Sequence, residues 1–364
     1  MDKTIQGTSS GSAGKIRVLL VDDSLLVLEL LTRMISTSPD IEIAGTARNG
    51  KEAIPKIELL NPDVVCTDLE MPLMDGLELT SYIMQNTPRP VLVVSSVVDQ
   101  TRDSANVFAL LKAGAVDVHQ KPNLMNNEDF HKAARELNSK IKVVAGVYIF
   151  KRKPASDRVA TAPLNIQQRK GRFRAVAIGV STGGPQLLAE ILPGLPKDFS
   201  MPVFVVQHIS DGFIQGLVNW LDKNCALEVK IAENWESPKP GVIYFPEEQT
   251  HLTIERGGRI FLSKDPPLDG HRPAVDLLFS SVAEYYRDSV VGIILTGMGK
   301  DGVKGLHRIK SRGGVTIAQS EESCVVYGMP GEAVKTGAAV KVLSPSEIIR
   351  ELIIFDQLNK NHHG

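Results

Sequence analysis

Short runs of aliphatic and β-branched residues alternate with longer amphipathic segments along the first part of the chain. Runs such as KIRVLLV, PDVVCTD and PVLVVSS stand next to segments such as LLVLELLTRMI, whose apolar positions recur at helical spacing. Strands that are apolar throughout, separated by helices, are typical of parallel sheets that helices cover on both faces. The pattern therefore predicts a doubly wound α/β fold.

The same pattern returns in the second part of the chain, in the predicted strands AVAIGV, PVFVVQH, VVGIILTG and VTIAQ. Predicted helices fall near residues 187–192, 214–221, 275–286 and 302–310. Between these elements, the segment GVIYFPEEQTHLTIERGGRIFLS is typical of antiparallel hairpin strands, with RGGR as a turn. We therefore predict a second, mainly parallel α/β domain with a β-hairpin insertion.

A segment rich in basic, polar and proline residues, KRKPASDRVATAPLNIQQRKGR, separates the two parts and is typical of an interdomain linker. The chain of 364 residues is also longer than one hydrophobic core usually supports. We predict five segments along the chain: a disordered leader at 1–14, a first domain at 15–145, a linker at 146–172, a second domain at 173–358 and a tail at 359–364.

Composition argues against nucleic acid and membranes as partners. The formal net charge is −1, whereas nucleic acids and anionic membranes attract clusters of Lys and Arg. No apolar run reaches the roughly 18 residues that a membrane span needs, and the first residues lack the apolar core of a signal peptide. The three cysteines lack CxxC spacing, so we expect reduced thiols. We expect a cytoplasmic protein without direct membrane insertion.

Polar side chains follow four predicted strands of the first domain. Asp22 and Asp23 follow the first strand, Asp68 the third, Ser95 ends the fourth and Lys121 follows the fifth. Because the carboxyl ends of parallel strands meet in one crevice, we expect these side chains to converge. Three carboxylates suit Mg²⁺, while a lysine and a hydroxyl suit a phosphoryl group.

The motifs VDDS, DLEMPLMDG, SS and KP, in this order, resemble those of two-component response-regulator receiver domains over residues 15–144. The resemblance implies a flavodoxin-like (βα)5 fold and a chemotaxis-type histidine kinase as phosphodonor. The residues it implies are Asp68 as phospho-acceptor, Asp22 and Asp23 as the other acids of the Mg²⁺ site, Ser95 as switch hydroxyl and Lys121 as phosphate partner. Val118 departs from the family pattern, since an aromatic ring usually stands there.

The stretch AVAIGVSTGGP ends a predicted strand at Ser181 and breaks at once into glycines. Its GxSxG spacing is that of a nucleophile elbow, which exposes a serine on a tight turn between strand and helix. A glycine-rich turn can also bind phosphate, but no P-loop lysine follows, and Pro185 and Gln186 stand where a dinucleotide fingerprint has its third glycine. The pentapeptide alone favours neither a structural turn nor an active site.

A nucleophilic serine needs a base and an acid that orients the base. His208 ends the strand PVFVVQH, and Asp301 follows the strand in GIILTGMGKDG, so both belong to the same predicted edge as Ser181. His251 and His271 remain alternative bases. Backbone N–H groups of the glycine-rich turns could form an oxyanion hole.

GVSTGGP, QHI, GHRPAVDLLF, LTGMGKDG and VVYGMPGEA resemble the catalytic domain of the chemotaxis protein-glutamate methylesterases over about 174–354. The resemblance implies a triad and an active-site wall: Ser181, His208 and Asp301, with Thr182, Gly183 and Met298 beside them. It implies a phosphorylation-activated serine esterase that hydrolyses glutamate methyl esters on methylated chemoreceptor cytoplasmic helices and releases methanol. Deamidation of receptor glutamines follows from the same chemistry, and no cofactor is expected for hydrolysis.

Two other functional classes are less consistent with the sequence. A DNA-binding response regulator would need a helix-turn-helix and a basic surface, but residues 171–364 carry 20 Lys and Arg against 22 Asp and Glu. A non-catalytic receptor adaptor would be favoured by loss of a triad residue, and all three are present. We also expect four large side chains of this domain to be core residues: Phe213, Trp220, Tyr327 and Met329.

Overall fold

The computed structural model of the protein describes residues 14–96, 103–122, 127–147 and 173–361. Nearly all of the predicted leader and linker therefore lies outside the described residues, as does the end of the predicted tail. Among the described residues, no helix is long and apolar enough to cross a membrane.

The first domain is a five-stranded sheet in which every paired strand is parallel. Its strands are β1 (Ile16–Val21), β2 (Ile41–Ala47), β3 (Val64–Thr67), β4 (Val91–Ser95) and β5 (Asp117–Gln120), in the spatial order β2-β1-β3-β4-β5. Its helices are α1 (Leu25–Ile35), α2 (Gly50–Leu60), α3 (Gly76–Asn86), α4 (Asp103–Ala113) and α5 (Asn127–Ala145). This is the predicted (βα)5 fold.

Side-chain caps fix where the first three helices begin. The Ser24 side chain accepts a hydrogen bond from the third residue of α1, and Asn49 does the same for α2. Asp75 and Glu78 form a reciprocal capping box at the start of α3. These caps satisfy N–H groups that the helices leave free, and they set the path of the loops after β1, β2 and β3, where the predicted carboxylate residues lie.

The second domain has a seven-stranded sheet, again parallel throughout, in the order β14-β13-β12-β6-β7-β9-β8. Its strands are β6 (Ala175–Val180), β7 (Val203–Gln207), β8 (Glu228–Ile231), β9 (Val242–Phe245), β12 (Val290–Ile294), β13 (Val315–Gln319) and β14 (Lys341–Leu343). Its helices are α6 (Gly184–Ile191), α7 (Ile214–Asp222), α8 (Val275–Tyr286), α9 (Val303–Ser311), α10 (Met329–Lys335) and α11 (Pro345–Asn361). The fold class predicted for this domain is confirmed.

The hairpin insertion is shorter than the sequence suggested. It consists of β10 (His251–Ile254) and β11 (Ile260–Ser263), which pair antiparallel around the RGGR turn. The preceding residues, predicted as hairpin, form β9 instead, a strand of the main sheet between β7 and β8. All four residues of β9 are buried, which explains their unbroken apolar run, since a central parallel strand is covered on both faces.

Helix α11 closes the second domain and extends to Asn361, into the segment predicted as the tail. The buried Asn359 side chain accepts a hydrogen bond from the Phe173 N–H at 2.9 Å and donates one to the Phe173 carbonyl at 2.7 Å. The last helix is therefore fastened to the residue where the domain begins, at the amino end of β6.

The two domains pack against each other through α4 of the first and α7 of the second. The buried Phe108 ring stacks on Trp220, with ring centres 5.3 Å apart and ring planes 16° from parallel. A polar contact also joins the domains: Lys140 of α5 donates to Ser210 Oγ at 3.2 Å, and within the receiver it donates to the Val118 carbonyl. Trp220, predicted as a core residue, thus serves the interdomain contact.

Candidate active site

The five polar residues predicted at the strand ends of the first domain do converge. Ligand atoms of Asp22, Asp23 and Asp68 lie within 4.8 Å of one another, an arrangement that could hold a metal ion. Lys121 Nζ lies 2.7 Å from Asp22 Oδ2 and 2.8 Å from Asp68 Oδ2. Ser95 lines the same cavity as Asp68 and Lys121.

Burial shapes the charges at this site. It raises the pKa of Asp68 and Asp22 adds to the effect, while Lys121 and the Leu69 N–H oppose it. Burial alone would lower the pKa of Lys121, but its contacts with both carboxylates raise it above the ordinary value. Asp22 Oδ2 is buried, and apart from this ion pair no described donor is aligned with it. This oxygen can therefore still bind a cation, and the oxygen donors of the site fit Mg²⁺.

In the second domain, Ser181 lies on a tight turn between β6 and α6. Its N–H donates to the Thr296 carbonyl at 2.9 Å, which ties the turn to the loop after β12. Gly183 has φ of +77°, a left-handed conformation that favours glycine. A Cβ on Gly297 would lie 2.5 Å from Ser181 Cβ, so glycine is required for the two loops to meet. The left-handed turn thus explains Gly183, and the close approach of the two loops explains Gly297.

His208 and Asp301 meet at the same sheet edge. His208 Nε2 lies 3.0 Å from Asp301 Oδ2, although the direction is not that of a well-aligned hydrogen bond. The Asp301 carboxylate also accepts the N–H groups of Val275 and Asp276, at 2.7 and 3.0 Å, from the first turn of α8. Burial would raise the pKa of Asp301, but His208 and these two N–H groups hold it below the ordinary value. Asp301 is therefore an ionised partner for the imidazole.

Gln207 links the serine turn to the histidine, a role the sequence analysis missed. Its buried Nε2 donates to the carbonyls of both Ser181 and His208, each at 2.8 Å. A glutamine at the end of an apolar strand, directly before the histidine, was the available signal. The bond fixes the backbone of the two residues relative to each other.

The two alternative histidines lie in different surroundings. His251 is fully buried, where its Nδ1 accepts the Ala274 N–H at 3.1 Å and its Nε2 faces the Pro266 carbonyl at 3.3 Å. Both of its ring nitrogens are therefore engaged in the fold. His271 instead stacks on His208, with ring centres 4.3 Å apart and planes 5° from parallel.

The group His208, His271 and Asp301 also has ligand atoms within 4.8 Å of one another. A metal ion must lie close to the plane of each imidazole that binds it, because the nitrogen lone pair lies in that plane. Two rings stacked 5° from parallel have no such common point. The arrangement suits a stacked pair and would need a ring rotation to hold a metal.

Backbone N–H groups around Ser181 are available to an anion. Those of Thr182, Gly183 and Met298 have no acceptor among the described residues. Thr182 is buried and its carbonyl accepts from Thr296 Oγ1 at 3.0 Å, whereas the Met298 side chain is 54% exposed at the rim. The turn can therefore present donors to a developing oxyanion.

Two family profiles match the chain. The one described as CheB methylesterase matches residues 176–352, and the one described as response regulator receiver domain matches residues 18–135. The protein-glutamate methylesterase/protein-glutamine glutaminase 4 of Geobacter metallireducens is 42% identical over 340 residues, covering 93% of this chain and 98% of the relative. The corresponding protein 1 of Syntrophus aciditrophicus is 40% identical over 343 residues, covering 93% and 97%.

Among solved structures, the Thermotoga maritima CheB methylesterase catalytic domain is 43% identical, with a TM-score of 0.48, and covers 50% of this chain and 97% of its own. The response regulator domain of Thermotoga maritima CheB is 37% identical, with a TM-score of 0.33, and covers 37% and 99%.

Proposed function

The chain belongs to the CheB methylesterase family, with a response-regulator receiver domain, and from that premise we propose that Ser181, His208 and Asp301 carry its hydrolytic reaction. Its activity is that of a protein-glutamate methylesterase and protein-glutamine glutaminase under control of the receiver. The substrates are methyl-esterified glutamates and glutamines of chemoreceptors. Residues 173–358 form the catalytic unit and residues 15–145 the regulatory one.

The proposed reaction gives each of the three side chains one role. Ser181 Oγ attacks the ester carbonyl while His208 takes its proton through Nδ1, since Nε2 faces Asp301. The N–H groups of Thr182, Gly183 and Met298 stabilise the oxyanion. The histidine then protonates the departing methoxide, and methanol leaves an acyl-serine. Water, deprotonated by His208, hydrolyses that ester and frees the glutamate; with a glutamine substrate, ammonia leaves instead.

The observation that carries this proposal is the pairing of His208 with the buried Asp301 at 3.0 Å, on the strand next to the Ser181 turn. A non-catalytic receptor adaptor would have no need of a buried, ionised carboxylate beside a histidine. The test is methanol release from methylated receptor membranes by the full chain. Receptor binding without methanol release, by folded protein supplied with a phosphodonor, would favour the adaptor.

In the receiver, we propose that Asp68 accepts the phosphoryl group from a chemotaxis-type histidine kinase. Asp22, Asp23 and Asp68 would hold Mg²⁺, which when bound neutralises charge on the phosphoryl group. Lys121, already 2.8 Å from Asp68, holds a phosphoryl oxygen after transfer, and Ser95 offers its hydroxyl to another.

Removal of divalent metal is therefore expected to abolish activation by acetyl phosphate while leaving basal methanol release unchanged. The reason is that only the receiver chemistry uses the carboxylate cluster. Methanol release is measured with Mg²⁺ and with EDTA, for the parent, Asp68→Asn and the exposed control Asp40→Asn. Activation of the Asp68→Asn variant to the parental level would contradict the assignment of the phospho-acceptor.

We further propose that the unphosphorylated receiver restricts access to the catalytic edge. A cavity between the domains is lined on the receiver side by residues that include His119 and Lys121, and on the other side by residues that include His208 and His271. The phosphoryl partner Lys121 and the base His208 border one cavity. A structural change at the phosphorylation site therefore alters the surroundings of the base. Phosphorylation then shifts a closed–open equilibrium.

Weakening the polar interdomain contact should raise basal activity. Lys140→Met removes the bond to Ser210 across the interface, together with bonds to Val118 and Asp117 within the receiver. The interdomain bond is worth about 0.5–1.5 kcal/mol, so we expect basal methanol release to rise about 2–10-fold. Lys142→Met is the matched control, because Lys142 lies on the same helix and pairs with Asp40 within the receiver. Equal basal rates in Lys140→Met and Lys142→Met would show that this contact does not restrain the enzyme.

A further inference from the structure

His271 lies on a tight turn that brings its ring to the catalytic edge. The backbone groups of His271 and Leu268 exchange two hydrogen bonds, at 3.0 and 3.1 Å, around the left-handed residues Asp269 and Gly270. Asp269 pairs with Lys304 of α9 at 2.8 Å, which fastens the turn to the helix that follows Asp301. The imidazole of His271 thus reaches the catalytic edge from a turn that carries none of the three proposed catalytic residues.

The ring of His208 has few polar constraints among the described residues. Its Nδ1 has no hydrogen-bond partner among the described residues, and its Nε2 is near Asp301 without good alignment. A contact of this kind sets a distance but leaves the tilt of the ring plane open. The parallel stack at 4.3 Å and 5° is a contact that can define the plane.

We propose that His271 is a positioning residue for the base: its ring face holds the His208 imidazole with Nε2 toward Asp301 and Nδ1 free for the serine proton. The proposal rests on the proposed function of Ser181, His208 and Asp301. His271 acts through His208, touching neither the ester nor the attacking hydroxyl in this role. It would matter for the rate of the chemical step and hardly for substrate binding.

The charge state of His271 is compatible with this role. Burial lowers its pKa and His208 adds to the effect, while Asp301 and Asp269 oppose it. The ring that faces the base is therefore neutral near pH 7. A neutral aromatic face can lie against the imidazolium that forms when His208 takes the serine proton, whereas a second cation would repel it.

The test separates a flat ring from imidazole chemistry. His271→Ala removes the stack, and we expect kcat to fall about 10–100-fold with KM within about threefold of the parent, because a small misplacement of a catalytic group costs this much. His271→Phe keeps a flat ring and should stay within about fivefold of the parental kcat. Free imidazole should partly restore the Ala variant. His307→Ala, an exposed histidine on α9, is the control.

Parental kcat in His271→Ala would overturn the proposal. So would an equal loss of about 1,000-fold or more in the Ala and Phe variants, since His271 would then act by its own nitrogen. If His271→Ala fails to fold, His271→Leu decides, because it fills the space without a flat ring and should lose activity that Phe retains. Ser181→Ala is assayed in parallel: an active Ser181→Ala contradicts the proposed function, whereas an inactive one with a fully active His271→Ala contradicts only this inference.

Discussion

Replacing Ser181 with alanine is expected to lower methanol release by up to about a million-fold, the loss seen when the nucleophile of a triad is removed. The fold should be retained, because alanine loses only the hydroxyl and keeps the Cβ that lies close to Gly297. The backbone bond from residue 181 to the Thr296 carbonyl also survives the change.

The measurement is methanol release from methylated receptor membranes, with thermal unfolding of each variant as a check on the fold. Ser346→Ala, at an exposed position in the first turn of α11, is the matched control and should behave as the parent. A Ser181→Ala protein that releases methanol at close to the parental rate would remove the serine from the mechanism.

Asp301→Asn should be the next most damaging change, with a loss of roughly 10⁴-fold. Asp301 has three donors around its two oxygens: the N–H groups of Val275 and Asp276, and His208 Nε2. Asparagine offers one oxygen and two N–H donors, so its NH₂ group must face at least one donor. If it faces the imidazole, it favours the tautomer with Nδ1 protonated, and that tautomer cannot take the serine proton.

The rate loss should appear in kcat, and Asp198→Asn, an exposed carboxylate paired with Lys360, is the control. His208→Ala should lose activity to about the same extent as Ser181→Ala, because the two act as one unit. An Asp301→Asn variant within tenfold of the parent would indicate that the imidazole is oriented by other contacts alone.

The sequence was most informative where buried strands end. The polar residues at or just after the end of a parallel strand lie at the carboxyl edge of the sheet, and this rule brought Asp22, Asp68 and Lys121 together, and likewise Ser181 and His208. The ion pairs of Lys121 and the contact of His208 with Asp301 have the geometry that those predictions require. The assignment of roles to these residues still awaits the experiments above.

Other features depend on pairing partners that no local pattern reveals. β9 has the same apolar run as a hairpin strand, and only its place between β7 and β8 makes it central. β8 and β14 are three or four residues long and partly exposed, so their periodicity is too short to detect. The stacking of His271 on His208 joins residues far apart in sequence, and a motif scan treats them as rival bases.

The hydrogen bonds between Asn359 and Phe173 fix the point at which the chain from the regulatory unit enters the catalytic unit. Phe173 precedes β6 at its amino end, whereas Ser181 follows the carboxyl end of the same strand, so residues 148–172 join the catalytic unit on the side away from the triad. A receiver that has separated from α7 remains covalently attached to the catalytic unit. Covalent attachment raises the effective concentration of a domain, up to about the millimolar range for short linkers. Loss of the phosphoryl group would then restore the closed state at a rate independent of protein concentration, and a free copy of the receiver would compete poorly with the attached one.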